Sequence, residues 1–535
     1  RVTTLVLRDQ VPLSRIAAVT FTEKAGAELR DRLRSAFERR WRQARREAGE
    51  HAPATEAAAR ALDDLDSAAI GTLHAFAQRI LSLHPIEAGL PPQVQVLDEV
   101  ASSVAFDERW SVLQRELLDD PELSEPLLLA LTAGVKTDDL RSLARAFGAN
   151  WDLITERVLP GGPPAVTLPD PAELIAGAER LAARADECSD PADLFLDKLA
   201  ALRDWASLAR AARDPAEQHA ALLGAAELKW SYGRKGNWPD LADLKLECTD
   251  WQHQAAALAG AFAEATLRPL AYWIAERVLR DADDRAAEGR LEFHDLLVLA
   301  RRLLTAPDAT GAAVRAALQR RFQVLLLDEF QDTDPIQIEL AVRIAGGADA
   351  TAPDWRDVRV PPGSLFVVGD PKQSIYRFRR ANIATYLQAQ QHLGEPVALT
   401  SNFRSVAAVL GWVNDVFGRL IRPEPDAQPA YQALAPQRPS GGTGPAVTLL
   451  GVDEHPDKPD ATELRHREAA DVAAVILHAL AQPWTVQDRD TREWRALTAA
   501  DIAILVPSRT SLPFLQAALD DAGVGYRAES SSLVY

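Results

Sequence analysis

Short unbroken apolar runs, each stopped abruptly by polar residues, recur along this chain. Val324–Leu327 is the clearest: four apolar residues that end in Asp328 and Glu329. Such a run suits a strand buried on both faces of a parallel sheet. Ile16–Val19, Ala68–Ile70 and Leu365–Val368 predict further strands, the last of them buried. Between them the apolar period becomes that of a helix, with Leu29, Leu33 and Phe37 at i+4 spacing and an amphipathic segment over Leu291–Ala300. From about Asp98 to Gly289 the chain turns rich in Ala, Leu, Arg and Asp with helical periodicity, broken by the proline-rich stretch Leu159–Pro171. That reads as a large helical insertion into an α/β unit. Residues Gly346–Gly363 read as a surface loop and Arg422–Pro445 as a proline-rich linker. Beyond the linker, strand Ala446–Leu450, helix Glu468–Leu480, strand Asp501–Val506 and helix Ser511–Ala522 predict a second α/β unit.

Composition narrows the classes. With 535 residues the chain is too long for one core, so three or four domains or subdomains are expected. Apolar residues make up 47% and charged residues 25%, and no apolar run approaches the roughly 20 residues that span a bilayer, so no membrane partner is expected. Cys188 and Cys248 are the only cysteines, which argues against a disulfide scaffold or a cysteine-held zinc or iron–sulfur cluster and fits a reducing cytoplasm. Methionine is missing throughout, position 1 included, so the chain is expected to begin mid-protein. A net charge of −18 does not exclude nucleic acid, because binding needs a local basic groove and not a basic total. The cluster Arg39, Arg40, Arg42, Arg45 and Arg46 reads as a solvated helix face ahead of the alternative, a DNA site.

Candidate chemistry gathers where the apolar runs stop. Asp328 and Glu329 sit at the carboxyl edge of a strand, where open α/β sheets bind ligands, and two acids there can divide metal holding from water activation. The plainer reading is a turn whose acids cap the next helix. Thr20 and Thr22 follow one strand and Thr72 and His74 follow another, positions that suit a phosphodiester backbone or, for Thr20 and Thr22, helix capping and, for the lone His74, a structural role. Gln373 is a neutral, reaching side chain beside a strand end. Tyr376 and Phe378 alternate with Arg377 and Arg379, an aromatic and cationic mixture that stacks bases and holds phosphates. Phe403 and Arg404 can sandwich a purine and reach a phosphate. Trp230, Tyr232, Arg234, Lys235 and Trp238 have a similar mixture, for which core packing or a surface loop is the better reading.

Taken in order, TFTEKAGAEL (20–29), GTLHAFAQRIL (71–81), VLLLDEFQDTDPIQ (324–337), VVGDPKQSIYRFRRA (367–381) and LTSNFRS (399–405) resemble the motifs of the UvrD/RecB family of superfamily-one DNA helicases. The long insertion and the GDPKQ spelling look most like the RecB/AddA branch, similar to the exodeoxyribonuclease V beta subunit. The resemblance implies a RecA-like P-loop NTPase domain over 1–97 and 290–400, a helical accessory subdomain over 98–289, and the start of a second RecA-like domain over 401–535. It implies ATP and Mg²⁺ as cofactors, with Asp328 holding the metal, Glu329 activating water, Gln373 sensing the γ-phosphate, Phe403 stacking on adenine and Arg404 acting as arginine finger. Thr20, Thr22, Thr72, His74, Tyr376, Phe378 and Arg379 would touch single-stranded DNA. The family moves 3′ to 5′ along one strand and separates duplex DNA; in this branch it works with other subunits of a helicase–nuclease complex. No G-x-x-x-x-G-K-[ST] phosphate loop occurs, and the later family motifs are missing, so a fragment inactive by itself is expected. Two other classes stand beside this one: a non-hydrolysing DNA-binding or scaffold subunit, and a metal-dependent nuclease using Asp328 and Glu329 directly.

Overall fold

A computed structural model describes the chain except residues 347, 452–454, 456, 489–490 and 529–535, and except the side chains of residues 348, 349 and 379. Cα packing divides it into two compact units, Arg1–Gly369 and Asp370–Tyr535.

The first unit is built on a four-stranded parallel sheet. Strand β1 (Ile16–Thr20) leads into helix α1 (Glu23–Ala48), which folds back on helix α2 (Pro53–Asp64) before strand β2 (Ala69–Thr72) and helix α3 (Leu73–Leu83). After the insertion come its last long helix α4 (Leu241–Glu288), helix α5 (Phe293–Thr305), strand β3 (Val324–Leu327), helix α6 (Pro335–Ala345) and strand β4 (Leu365–Val367). The sheet order is β2-β1-β3-β4, every pair parallel, with Val19 opposite both Gly71 and Leu327, and Leu327 opposite Val367. All four carboxyl ends therefore lie along one edge. β1 is buried over its whole length, as its unbroken apolar run predicts. One face of the sheet (Ile16, Ala18, Ile70, Val324) closes under Leu33 and Phe37 of α1 and Ala61 of α2. β4 departs from expectation: Phe366 is 44% and Val368 42% exposed. It is one of the two edge strands, with a neighbour on one side only among the described residues.

The insertion is helical, as its periodicity predicts. Phe195, Leu199, Leu202, Trp205, Leu244, Cys248 and Trp251 form its core. Trp238 is buried in that core and Trp230 packs against it, so these aromatics are structural, while Tyr232, Arg234 and Lys235 are exposed. A buried cluster helps join the insertion to the sheet-bearing part. Asp295, on α5, accepts Arg285 Nε at 2.8 Å, Arg285 Nη2 at 2.7 Å, Trp151 Nε1 at 2.9 Å and the Glu292 amide at 2.9 Å. Asp295 is 1% exposed.

In the second unit, helix α7 (Ile383–Leu393) precedes strand β5 (Ser401–Val406), helix α8 (Ala407–Leu420) and strand β6 (Ala435–Arg438). β6 pairs parallel with β5, so part of the expected linker is ordered structure. Helix α9 (Ala461–Ala481), an antiparallel hairpin of β7 (Thr485–Gln487) and β8 (Trp494–Ala496), and helix α10 (Leu512–Asp521) follow. Both expected helices form. The two expected strands do not: Ala446–Leu450 is irregular, and Asp501–Val506 leaves a 3-10 turn at Asp501 and is irregular thereafter, with Leu449 67% and Leu505 95% exposed. A strand buried on both faces needs flanking strands, and among the described residues neither run finds one. No helix among the described residues is long and apolar enough to cross a membrane.

Candidate active site

The carboxyl edge of the sheet collects most of the first-unit residues singled out by sequence. β3 ends at Leu327, and the chain is pinned on both sides of the acids: the Asp328 amide donates to Val19 O at 2.9 Å and the Phe330 amide to Val368 O at 2.9 Å. Between these pins Glu329 takes a left-handed conformation, φ 51° and ψ 44°. A non-glycine residue held there costs on the order of 1–3 kcal/mol, a cost most often met at functional sites. Asp328 and Glu329 are both exposed, and Asp328 Oδ1 accepts the Glu329 amide at 3.1 Å. The plainer helix-cap reading does not hold for them. The cap of α6 is Asp334, which accepts from the Ile336 amide at 3.0 Å ahead of Pro335.

Behind the exposed pair lies a buried polar layer that sequence reading missed. Gln331 is 1% exposed, and its Nε2 donates to Glu329 Oε2 at 2.8 Å and to Asp332 Oδ2 at 3.2 Å. Gly369 is tight against it: a Cβ there would lie 2.8 Å from Gln331 Oε1. Asp332 is buried, its Oδ1 lacks a hydrogen-bond partner among the described residues, and burial, then the charge of Glu329, push its carboxyl above the ordinary range. One amide thus orients Glu329 from behind. The only sequence signal was the polar run QDTD, separated by three residues from the end of a buried strand.

The two neighbouring strand ends are tied together. Thr20 is buried and its hydroxyl donates to Thr22 O at 3.1 Å. Thr22 caps α1, accepting the Ala25 amide at 3.1 Å. Thr72 caps α3, accepting the Ala75 amide at 3.2 Å, and donates to Glu23 Oε1 at 3.1 Å. Gly26 allows this junction, since a Cβ would sit 3.1 Å from Gly71 Cα. The capping alternative is therefore realised for Thr22 but not for Thr20, whose hydroxyl ties to the Thr22 carbonyl instead, and together with the Thr72 cap these bonds fix the edge. His74 stacks edge-on against Phe293 at 5.9 Å. Burial first, then the nearby His294, hold its imidazole down at about 4, against a smaller upward pull from Glu23. It is neutral near pH 7, so it can meet a nucleic acid by stacking or hydrogen bonding but not as a cation.

The second unit carries the other candidates. Asp370 accepts Lys372 Nζ at 2.9 Å and Gln373 Nε2 at 3.0 Å. Burial raises its pKa, but these hydrogen bonds outweigh it and hold the carboxyl below the ordinary range. Gln373 is exposed at the end of a short 3-10 turn. The rings of Tyr376 and Phe378 lie 5.6 Å apart, and Phe378 is 78% exposed. The Arg379 side chain lies outside the described ones. Phe403 is 71% exposed on β5, beside exposed Arg404. Asn402 Oδ1 fixes the backbone there, accepting the Arg404 amide at 3.0 Å and the Ser405 amide at 2.8 Å.

A family model for the UvrD/REP helicase N-terminal domain matches residues 1–394, well over half of the chain. The chain belongs to this family. Its α/β fold with a parallel sheet is the RecA-like one expected for a UvrD-type domain. Similar curated proteins include the ATP-dependent helicase/nuclease A subunit of Bacillus velezensis, 26% identical over 98% of this chain and 46% of its own length. The protein of that name from Desulforudis audaxviator is 29% identical over 90% of the chain and 44% of its length. The RecBCD enzyme subunit RecB of Escherichia coli is 26% identical over 76% of the chain and 34% of its length. Within the UvrD-type family the similarity thus lies with helicase–nuclease subunits, and the chain spans less than half of those relatives.

Proposed function

We propose that this chain is the motor segment of a longer ATP-dependent DNA helicase that moves 3′ to 5′ along single-stranded DNA and separates the duplex in repair or recombination. The observation that carries the reading is the exposed Asp328–Glu329 pair, held at the sheet's carboxyl edge by a left-handed residue and a buried amide. Asp328 suits Mg²⁺, which binds through one or two carboxylates plus substrate phosphates and keeps several waters. When bound, the metal neutralises charge on the transferred phosphoryl group of ATP. Glu329 accepts the proton of the attacking water, with Gln331 fixing its carboxylate. Gln373 contacts the γ-phosphate, Phe403 stacks on adenine and Arg404 offsets charge in the transition state. Thr22, His74, Tyr376, Phe378 and Arg379 meet the DNA strand, and the buried Thr20 and Thr72 hold the edge from which the first two reach it. The domain division carried by the resemblance (1–97 with 290–400, 98–289, and 401–535) belongs to the same proposal. So do a cytoplasmic location and further subunits of a helicase–nuclease complex.

The nuclease reading has less support, since among the described residues no three His, Cys, Asp or Glu side chains are grouped to hold a metal. The second reading is a non-hydrolysing DNA-binding or scaffold subunit. Phe378 separates a motor from a passive binder. Base–aromatic stacking is worth roughly 1–3 kcal/mol per base, enough to hold a strand yet weak enough to release it each cycle. Because Phe378 is exposed, its removal should change stability by only about 0.5 kcal/mol or less. In the longer protein, Phe378→Ala is expected to weaken single-strand binding modestly and to cut unwinding far more than basal ATP hydrolysis. Equal losses in both activities would count against coupling through this loop.

A further inference from the structure

Helix α1 is much longer than the strand it follows. It leaves the carboxyl edge of β1 at Glu23 and runs back along the sheet. Arg34 Nη2 meets Asp66 Oδ1 at 2.7 Å, and Asp66 lies just before β2 begins, so α1 has reached the sheet's opposite edge by residue 34. Phe37 is the last α1 residue in the core under the sheet, and residues 38–48 continue past it for about 17 Å, backed by α2. The projecting part carries Arg39, Arg40, Arg42, Arg45 and Arg46 against Glu38 and Glu47, in a chain of net charge −18.

Arg39, Arg42, Gln43 and Arg46 lie at i, i+3, i+4 and i+7, one face of the helix, and line a shallow hollow of about 390 Å³ together with Glu47. Arg42 pairs with Glu38 at 2.9 Å and Arg45 with Glu50 at 3.3 Å. Among the described residues Arg39, Arg40 and Arg46 have no acidic partner, and all three are exposed. No large apolar side chain of α1 is exposed, and Trp41 is half-buried with the Arg45 guanidinium 5.1 Å over its ring.

We propose that this stripe binds the phosphate backbone of duplex DNA, a second DNA-binding surface distant from the strand-binding edge. The inference rests on the reading above that DNA is the substrate. A protein interface of useful size has an apolar core, and this face has none. A single strand is held by stacking on exposed aromatic rings, and none is present here. What remains is a straight row of guanidiniums, the group that pairs with phosphate bidentately and carries no base information.

The test is fluorescence anisotropy with the full 535-residue chain and its Arg39→Ala/Arg42→Ala/Arg46→Ala variant, titrated with a blunt 30-base-pair duplex and, separately, with oligo(dT). Alanine keeps the helix, which circular dichroism verifies. The variant is expected to lose duplex affinity and to show a salt dependence shallower by about 2–3 in log K against log [salt], near 0.9 for each phosphate no longer neutralised. Oligo(dT) binding should be unchanged. An unaltered duplex slope overturns the proposal, as does an equal fall in oligo(dT) binding. Loss of a co-purifying protein subunit with duplex binding intact would assign the stripe to an acidic protein partner instead. If the unaltered chain binds oligo(dT) but not duplex, only this proposal fails; if it binds neither, the functional reading fails as well.

Discussion

Glutamine at position 329 is expected to abolish ATP turnover in the longer protein proposed above while leaving nucleotide binding largely intact. Glu329 is exposed at the tip of β3, and one carboxylate oxygen already accepts the Gln331 amide at 2.8 Å. An amide of the same shape keeps that hydrogen bond through its carbonyl oxygen, so the left-handed turn and its pins to Val19 and Val368 should survive. What is lost is the ability to take a proton from water. General-base catalysis contributes about 10²–10⁴ in rate, and the loss should fall in that range or beyond it. Asp328→Asn should act differently, weakening Mg²⁺–nucleotide binding itself. Steady-state hydrolysis together with binding of a fluorescent nucleotide measures both. Near-normal turnover by Glu329→Gln would remove Glu329 from the role of base.

Asp295→Ala is expected to destabilise the first unit by about 3–5 kcal/mol, the usual result of breaking a buried ion pair from one side. Asp295 accepts four hydrogen bonds and is almost fully buried. Removing it strands the Arg285 guanidinium, 6% exposed, and leaves Trp151 Nε1 without its acceptor. Because Trp151, Arg285 and Asp295 come from the insertion, its last helix and α5, the loss should also loosen the insertion from the sheet-bearing part. Urea unfolding followed by circular dichroism gives the magnitude. A cost below about 1 kcal/mol would show that the pair contributes no more than a surface salt bridge does.

The sequence made the sheet legible because its strands are buried on both faces, which forces unbroken apolar runs at Ile16–Val19 and Val324–Leu327. The same rule misled at Ala446–Leu450 and Asp501–Val506. There an apolar run marks a capacity for burial, and pairing partners decide whether a strand forms. At the site, Asp328 and Glu329 stood out because two acids end an apolar strand. Gln331 and Asp332 did not, since their roles depend on burial and on the approach of Gly369, neither of which leaves a spacing pattern. Asp295 was hidden for a related reason: a carboxylate within FHDLLVLA looks like an ordinary polar position until Arg285 and Trp151 are seen to converge on it. Arg39, Arg42 and Arg46 looked solvated in sequence, and only the overhang of α1 past the sheet gives them a separate surface.

The edge bearing Asp328 and Glu329 should work as a DNA-dependent ATPase once a phosphate loop supplies the grip on the β- and γ-phosphates, a grip that backbone amides and a lysine normally provide. The direct measurement is ATP hydrolysis with and without single-stranded DNA, on residues 1–535 alone and on the longer protein. No hydrolysis by residues 1–535 and DNA-stimulated hydrolysis by the longer protein are the expected results. DNA-stimulated hydrolysis by residues 1–535 alone, or none by the longer protein with its phosphate loop intact, would contradict this assignment of the edge.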